Sequence, residues 1–430
     1  MEQLYNQSLI KKPFHGSYEP HMYRKEIEGK AAGVRIMEGM GQRIAHSARI
    51  KLKDAWHPGR ELLQRTHFGL YNAQDKVMKE SHLHQARELG KLCYRIQDSG
   101  GFQLFTGLKD FIDPIELTAL HDTFADSGVG LDLPLSLVDD PILVQAGARM
   151  LAANSKVMVK ARKAKWALMN VSHGLTPQLR AKWQKIALAE PMDSLCIAGL
   201  RGSILDTAVG ANPMAIAAHM LVGMLHPADY KHYHLLGLSS VIGMSLAAVI
   251  ANLHQKVVTS DSTTYLNGQQ FKNFINGTIP PREGNYGRIK CSCPICNFIE
   301  YEYWMDGFPT LMLLHNAEQI NKGCETLNGL ASIAIAKKLK GTEIARFFYK
   351  AGVGFDKRVL PAMGRAFDLI LQTKKYEQAC AIDYSVKKTA MGTLFDTVKT
   401  VPKEDLSRQY WIIKRYGKYH KTDFFAGLKP

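Results

Sequence analysis

The chain has 430 residues, 46% of them hydrophobic and 22% charged. That composition excludes a disordered chain, and the length allows one large barrel with attachments or two to three ordinary domains. The formal net charge of +16 is uneven, with 21 basic against 10 acidic residues between Asn321 and Pro430; this fits a polyanionic partner, nucleic acid before membrane, or a basic surface with no specific partner.

Residues 1–90 read as a helix-rich, basic N-terminal region, with apolar and charged residues mixed at helical spacing over Met22–Leu52 and Ala73–Leu92. From Cys93 the pattern changes. Short apolar runs at Cys93–Gln97, Val129–Leu133, Trp166–Val171, Leu195–Ala198, Tyr233–Leu238 and Lys256–Ser260 predict strands. Between them, Asp113–Ser127, Pro141–Ala161, Pro177–Leu188, Asn212–Leu225 and Val241–His254 predict helices. Alternating strands and helices imply an α/β protein with a parallel sheet, either doubly wound or closed. Polar residues and glycines fall where the strands end: Asp98, Asp132, His173, the Gly199 turn, Gly237 and Asp261. A (β/α)8 TIM barrel brings all strand C-termini to one face, so this distribution favours the barrel, over residues 91–335.

Leu235–Leu253 carries no charged residue. It is long enough to suggest a membrane span, but its Gly, Ser and Asn residues fit a buried strand followed by a buried helix better. No membrane segment is expected. Seven cysteines, and no apolar core in Met1–Lys12, lead to an expectation of a reducing, cytoplasmic setting.

Two stretches carry chemistry. Asp98-Ser99-Gly100-Gly101-Phe102-Gln103 follows a predicted strand; it suits either an ordinary turn or a place where backbone approaches a flat ligand and a carboxylate faces it. Cys291-Ser292-Cys293-Pro294-Ile295-Cys296, with His315 further on, offers three thiolates and an imidazole, the donor set of a closed, structural Zn2+ site, with free or redox thiols as the alternative. Cys93, Cys196, Cys324 and Cys380 read as isolated thiols. After residue 335 come basic helical segments and the tail Tyr410-Trp411-Ile412-Ile413-Lys414-Arg415-Tyr416. Interleaved rings and cations suit a nucleic-acid surface, or a packed helix with a solvated basic face.

In this order the pieces resemble the tRNA-guanine transglycosylase superfamily, over about Ile96 to Asn316. The Asp98–Gln103 run resembles its first active-site loop, and Cys291, Cys293, Cys296 and His315 its zinc site. Ala167–Gly174 with Leu179-Arg180 resembles a segment that usually carries Val-Gln-Gly, with His173 replacing the glutamine. Ile197-Ala198-Gly199-Leu200 resembles a turn offering backbone groups to the base, and Leu235-Leu236-Gly237 the strand end beside it. Ser260-Asp261-Ser262-Thr263-Thr264-Tyr265 departs from the tRNA enzymes, which follow the aspartate with Pro-Thr-Arg. It looks more like the DNA-directed branch, the DNA 7-deazaguanine transglycosylases.

The resemblance implies replacement of guanine in DNA by a 7-deazaguanine, such as 7-cyano-7-deazaguanine, with the same exchange on tRNA as the alternative and a non-catalytic nucleic-acid-binding subunit as a third reading. Asp261 would be the nucleophile and Asp98 the general acid/base. Asp132 would accept from N1–H and the 2-amino group of guanine, His173 would donate to O6, and Phe102 and Leu236 would sandwich the ring. Ser99, Gly100, Gly101, Gly199, Leu200 and Gly237 complete the expected pocket. The expected organisation is a barrel with an inserted zinc subdomain at about 265–320 and a basic helical nucleic-acid-binding region at 336–430, in a bacterial or phage-infected cell.

Overall fold

The computed structural model describes residues 33–39, 68–72, 94–135, 138, 140–190, 192–200, 212–230, 232–238, 240–262, 309–382 and 406–428. Its centre is a parallel, curled six-strand sheet. The strands are β3 (Tyr94–Asp98), β4 (Ser127–Val129), β5 (Ala167–Ser172), β6 (Ser194–Ile197), β7 (His232–Leu235) and β8 (Val257–Ser262), each paired in parallel with the next. Two further strands, β1 (Gly33–Gly39) and β2 (Phe68–Asn72), pair with each other over a short register. β1 also runs along β8, placing Met37 beside Asp261, and β2 runs along β3, placing Asn72 beside Asp98.

Helices fill every described connection from β3 onward: α1 (Gly101–Thr106) and α2 (Pro114–Phe124) before β4, α3 (Pro141–Ala161), α4 (Pro177–Ala187), α5 (Pro213–Met224) and α6 (Val241–Leu253). The fold is mixed α/β, with helices covering one face of a curled parallel half-barrel. The connections after β1 and β2 lie outside the described residues, as do Cys93 and the predicted helix Ala73–Leu92. Beyond β8 come α7 (Pro309–Ala336), α8 (Gly341–Lys350), α9 (Leu360–Gln372), the short α10 (Tyr376–Cys380) and α11 (Ser407–His420).

The helix starts follow from local chemistry. Asp113, Asp140, Thr176 and Asn212 each cap a helix through a side-chain oxygen and each precede a proline at the first helical position. A cap satisfies a free N–H, and proline has none to lose there. Two expectations need correction. Met22–Leu52, read as helical, contains β1, because β8 offers this segment of mixed polarity a parallel partner along Gly33–Glu38. The strand predicted at Val129–Leu133 begins two residues earlier, at Ser127, and ends four earlier, at Val129: Gly130 N–H still bonds the Met169 carbonyl at 2.8 Å, and the chain then leaves the ladder.

The uncharged Leu235–Leu253 stretch has a tertiary explanation. α5 and α6 are apolar nearly all round and buried because a second helical layer covers them. α7 and α9 pack on α6, and α9 on α5, so that Ile344, Phe348, Phe367 and Ile370 join Met220, Leu246 and Ile250 in one core. No helix among the described residues is long and apolar enough to cross a membrane.

Candidate active site at the strand ends

Parallel strands with adjacent register carry their C-terminal residues to one edge, and the curl of the sheet turns that edge into a cup. Asp98 is the last residue of β3, and His173 follows β5 directly. Gly199 and Leu200 lie just past β6, Leu236 and Gly237 just past β7, and Asp261 near the end of β8. Alternation along β7 and β8 separates two faces. Tyr233, Leu235 and Val258 pack into the core with the helices, which leaves His232, His234, Thr259 and Asp261 on the concave side.

Asp132 holds the middle of the cup. It is 6% exposed, and both carboxylate oxygens are engaged: Ser99 Oγ donates to Oδ1 at 3.2 Å, and His173 Nε2 lies 2.7 Å from Oδ2. His173 is fully buried, edge-on to Trp183 with ring centroids 4.9 Å apart. The ring nitrogen expected to reach a base oxygen is here directed at Asp132. Each carboxylate oxygen retains a second lone pair for a ligand N–H. Gly101 is required by close approach: a Cβ there would sit 2.5 Å from Asp132 Oδ1.

Arg180 fixes the turn beyond β5. Buried on α4, it donates to the carbonyls of Ser172 at 2.5 Å and Ala198 at 2.6 Å, tying the ends of β5 and β6 together. Its Nε donates to His219 Nδ1 at 3.1 Å, so that nitrogen must be an acceptor. Burial, with the neighbouring cation, accordingly holds His219 well below the ordinary histidine range.

Asp98 carries the clearest electrostatic signature. Burial raises its carboxyl pKa to about 7, and the charges of Asp132 and then Asp261 add to the rise; backbone N–H groups of Gly100 and Ser99 oppose it. Asp132 and Asp261 are thus near enough for their charges to act on Asp98, although Asp98 and Asp261 stand on the two outer strands of the six. Cys196, on the concave side of β6, is held well above its ordinary range by burial and then by the same three acids. Its thiol is a packing group, in contact with the Met169 sulfur at 3.9 Å.

Asp261 is partly exposed, with 15% of its side chain open to solvent. Gly237 N–H donates a short hydrogen bond to its Oδ1. Gly237 has φ of 70°, the left-handed conformation that turns this N–H back toward β8 and that other residues adopt only with strain. Of the other expected pocket residues, Ser99 is fully buried and also accepts from Gly101 N–H. Gly100 caps α1, and Leu236 is partly buried against the core. Leu200 is buried in the outer core, so its side chain does not enter the cup. Phe102 stands 61% exposed on α1, at the rim.

Sequence reading missed His232, His234 and Thr259. Their signal was the period-two His232-Tyr233-His234 pattern, which puts two imidazoles on one strand face. Cys291, Cys293 and Cys296 lie outside the described residues, and His315 is described only as backbone in α7. Among the described residues no group of three or more His, Cys, Asp or Glu side chains is placed to hold a metal ion. No protein-family model matches this chain, and no curated protein matches it.

Proposed function

We propose that the protein exchanges guanine in DNA for a 7-deazaguanine base by double displacement, and that its curled parallel sheet belongs to a (β/α)8 barrel. The observation that carries this reading is Asp98: a carboxyl with a pKa near 7, facing two other carboxylates across a cup at the strand ends. Such a group can give and take a proton at neutral pH.

In the first displacement an Asp261 oxygen attacks the anomeric carbon, forming a C–O ester bond as the bond to guanine N9 breaks. The bonding electron pair leaves with the base, which takes the proton of Asp98. In the second, the Asp98 carboxylate removes the N9 proton of the incoming base, whose nitrogen attacks the same carbon and expels Asp261 as a carboxylate. Asp132, steadied by Ser99 and His173, accepts from N1–H and the 2-amino group of the base. The target nucleotide must leave the stack to reach the cup. Structural Zn2+ on Cys291, Cys293, Cys296 and His315 belongs to the same proposal, on the chemistry of that donor set.

Labelled guanine offered with DNA and with tRNA tests the reading, and incorporation into DNA is expected. Label entering tRNA alone would move the substrate to tRNA. Binding without incorporation into either would favour a non-catalytic subunit.

The nucleic-acid partner is supported by α11. Ser407–Thr422 contains Arg408, Lys414, Arg415, Lys418 and Lys421 and no acidic residue. Lys414, Arg415, Lys418 and Lys421 are exposed beside Trp411, which is 48% exposed. The Arg415 guanidinium lies 5.2 Å from the ring centroids of Phe111 and of Trp411. Arg408 donates to the carbonyls of Leu104 and Lys109, and Gln409 to that of Phe105, fixing the basic stripe to the segment that carries Phe102. Replacing Lys414, Lys418 and Lys421 by Ala together is expected to weaken binding of a labelled oligonucleotide. The salt dependence, as log K against log salt, should shallow by up to roughly 3, since each lost phosphate contact removes about 0.9. The charge-matched change at Lys337, Lys338 and Lys340, between α7 and α8, should leave that slope nearly unaltered.

A further inference from the structure

His234 is fully buried on the concave side of β7, and its two ring nitrogens face different partners. Nδ1 lies 2.9 Å from Thr259 Oγ1, directly across the β7–β8 ladder. Nε2 lies 3.3 Å from Asp261 Oδ1 and makes no aligned hydrogen bond. Thr259 Oγ1 is also 2.6 Å from His232 Nε2, and His232 is held neutral, its pKa pushed down to about 3 by burial and then by its neighbour.

These contacts restrict where the His234 proton sits. A lone pair on Nε2 would face the lone pairs of a carboxylate, so Nε2 must carry hydrogen in either charge state of the ring. When the ring is neutral, Thr259 donates to Nδ1, and His232 Nε2–H completes the chain by donating to Thr259. The neighbours turned toward this corner are Gly237 N–H, which already donates to Oδ1, and the charges of Asp98 and Asp132 across the cup.

We infer that His234 is a positioning residue for Asp261: with Gly237 it donates to Oδ1, leaving Oδ2 as the oxygen that bonds the sugar carbon. The inference rests on the reaction proposed above. Two donors on one oxygen fix the rotation of the carboxylate. They also hold the carbonyl oxygen of the covalent ester and stabilise the carboxylate when it is expelled in the second displacement. Hydrogen bonds that act on a reacting group tighten as that group arrives, and a 3.3 Å contact is within reach of such a change.

Substitution at His234 separates positioning from packing. His234→Phe keeps the ring volume and removes the donor; it is expected to lower kcat by about 10- to 100-fold, the worth of one hydrogen bond to a charged group. The dissociation constant for guanine should change less than twofold, because His234 does not touch the base. His234→Gln restores an N–H at about the reach of Nε2 and should recover most of kcat, whereas His234→Asn, whose amide reaches only the Nδ1 position, should not. Equal loss in the Gln and Phe variants, or wild-type rates in the Phe variant, overturns the inference. Nitrogen NMR of labelled His234 in the intact protein provides a measurement without turnover. A protonated Nε2 whose shift moves in Asp261→Asn is expected, and an unprotonated Nε2 overturns the inference. If wild type shows no exchange, the proposed reaction falls, while the NMR result still decides whether His234 donates to Asp261.

Discussion

If the proposed reaction holds, Asp261→Asn should abolish both base exchange and the covalent protein–nucleic acid adduct expected of wild type with guanine-containing DNA. Asparagine preserves the shape of the side chain and still offers an oxygen to Gly237 N–H, so the fold has no reason to change. What disappears is the proposed nucleophile, and with it the covalent route. A fall on the order of 10³-fold or more is expected, because groups that act as one unit are not partly replaceable. The adduct is read on a denaturing gel after a quenched reaction. Ser262→Ala, the neighbouring change, should leave it intact. An undiminished adduct in Asp261→Asn would place the nucleophile elsewhere and remove the double-displacement scheme.

Asp98→Asn has two effects of different sign, both expected from a carboxyl pKa near 7. On activity, loss of the group that shuttles the proton should cost about 10²–10⁴-fold in kcat. In wild type the first displacement needs Asp98 protonated, so kcat/KM for the nucleic acid should fall as pH rises through about 7. That limb should be missing in the variant.

On stability, the sign follows from proton linkage. The unfolded carboxyl loses its proton near pH 3.8, whereas the folded one holds it until about 7. Between those values the folded state binds more protons than the unfolded state, so stability falls as pH rises and then levels off. The folded protein therefore carries a penalty above pH 7 on the order of 4 kcal/mol from this one group. Asp98→Asn should relieve much of it, raising the denaturation midpoint at pH 8 and leaving it nearly unchanged at pH 4. A variant equally stable at both pH values relative to wild type would show that Asp98 is not enclosed among carboxylates. A more stable but inactive variant is the behaviour expected of a group kept for function at the expense of folding.

The penalty has a structural counterpart. Ser99 and His173 engage Asp132, and Gly237 engages Asp261. Asp98 has only the N–H groups of Ser99 and Gly100 against its burial and two negative neighbours. Asp98 is thus the carboxyl of the three that burial and its neighbours drive toward holding a proton near neutral pH, the property that acid/base exchange needs.

Local chemistry made much of this legible before any coordinates. Asp113-Pro114, Asp140-Pro141, Thr176-Pro177 and Asn212-Pro213 marked helix starts within a residue, because capping and proline geometry depend only on adjacent residues. The alternation of apolar runs with helical stretches identified a parallel sheet, and the polar residues at the ends of those runs named Asp98, Asp132, His173 and Asp261. The strand at Gly33–Gly39 was not legible, since seven residues of mixed polarity become a strand only when β8 supplies a partner.

By itself, then, the sequence determined the order of the elements and which acids stand at strand ends, since those depend on short-range periodicity and turn chemistry. Only the tertiary structure decided what those acids do to one another. Asp98 and Asp261 are 163 positions apart, and curling of the sheet brings them close enough to shift a proton. It likewise turned His173 toward Asp132 and set His234 beside Asp261. Field strength and hydrogen bonding depend on distance through space, which a linear chain does not carry.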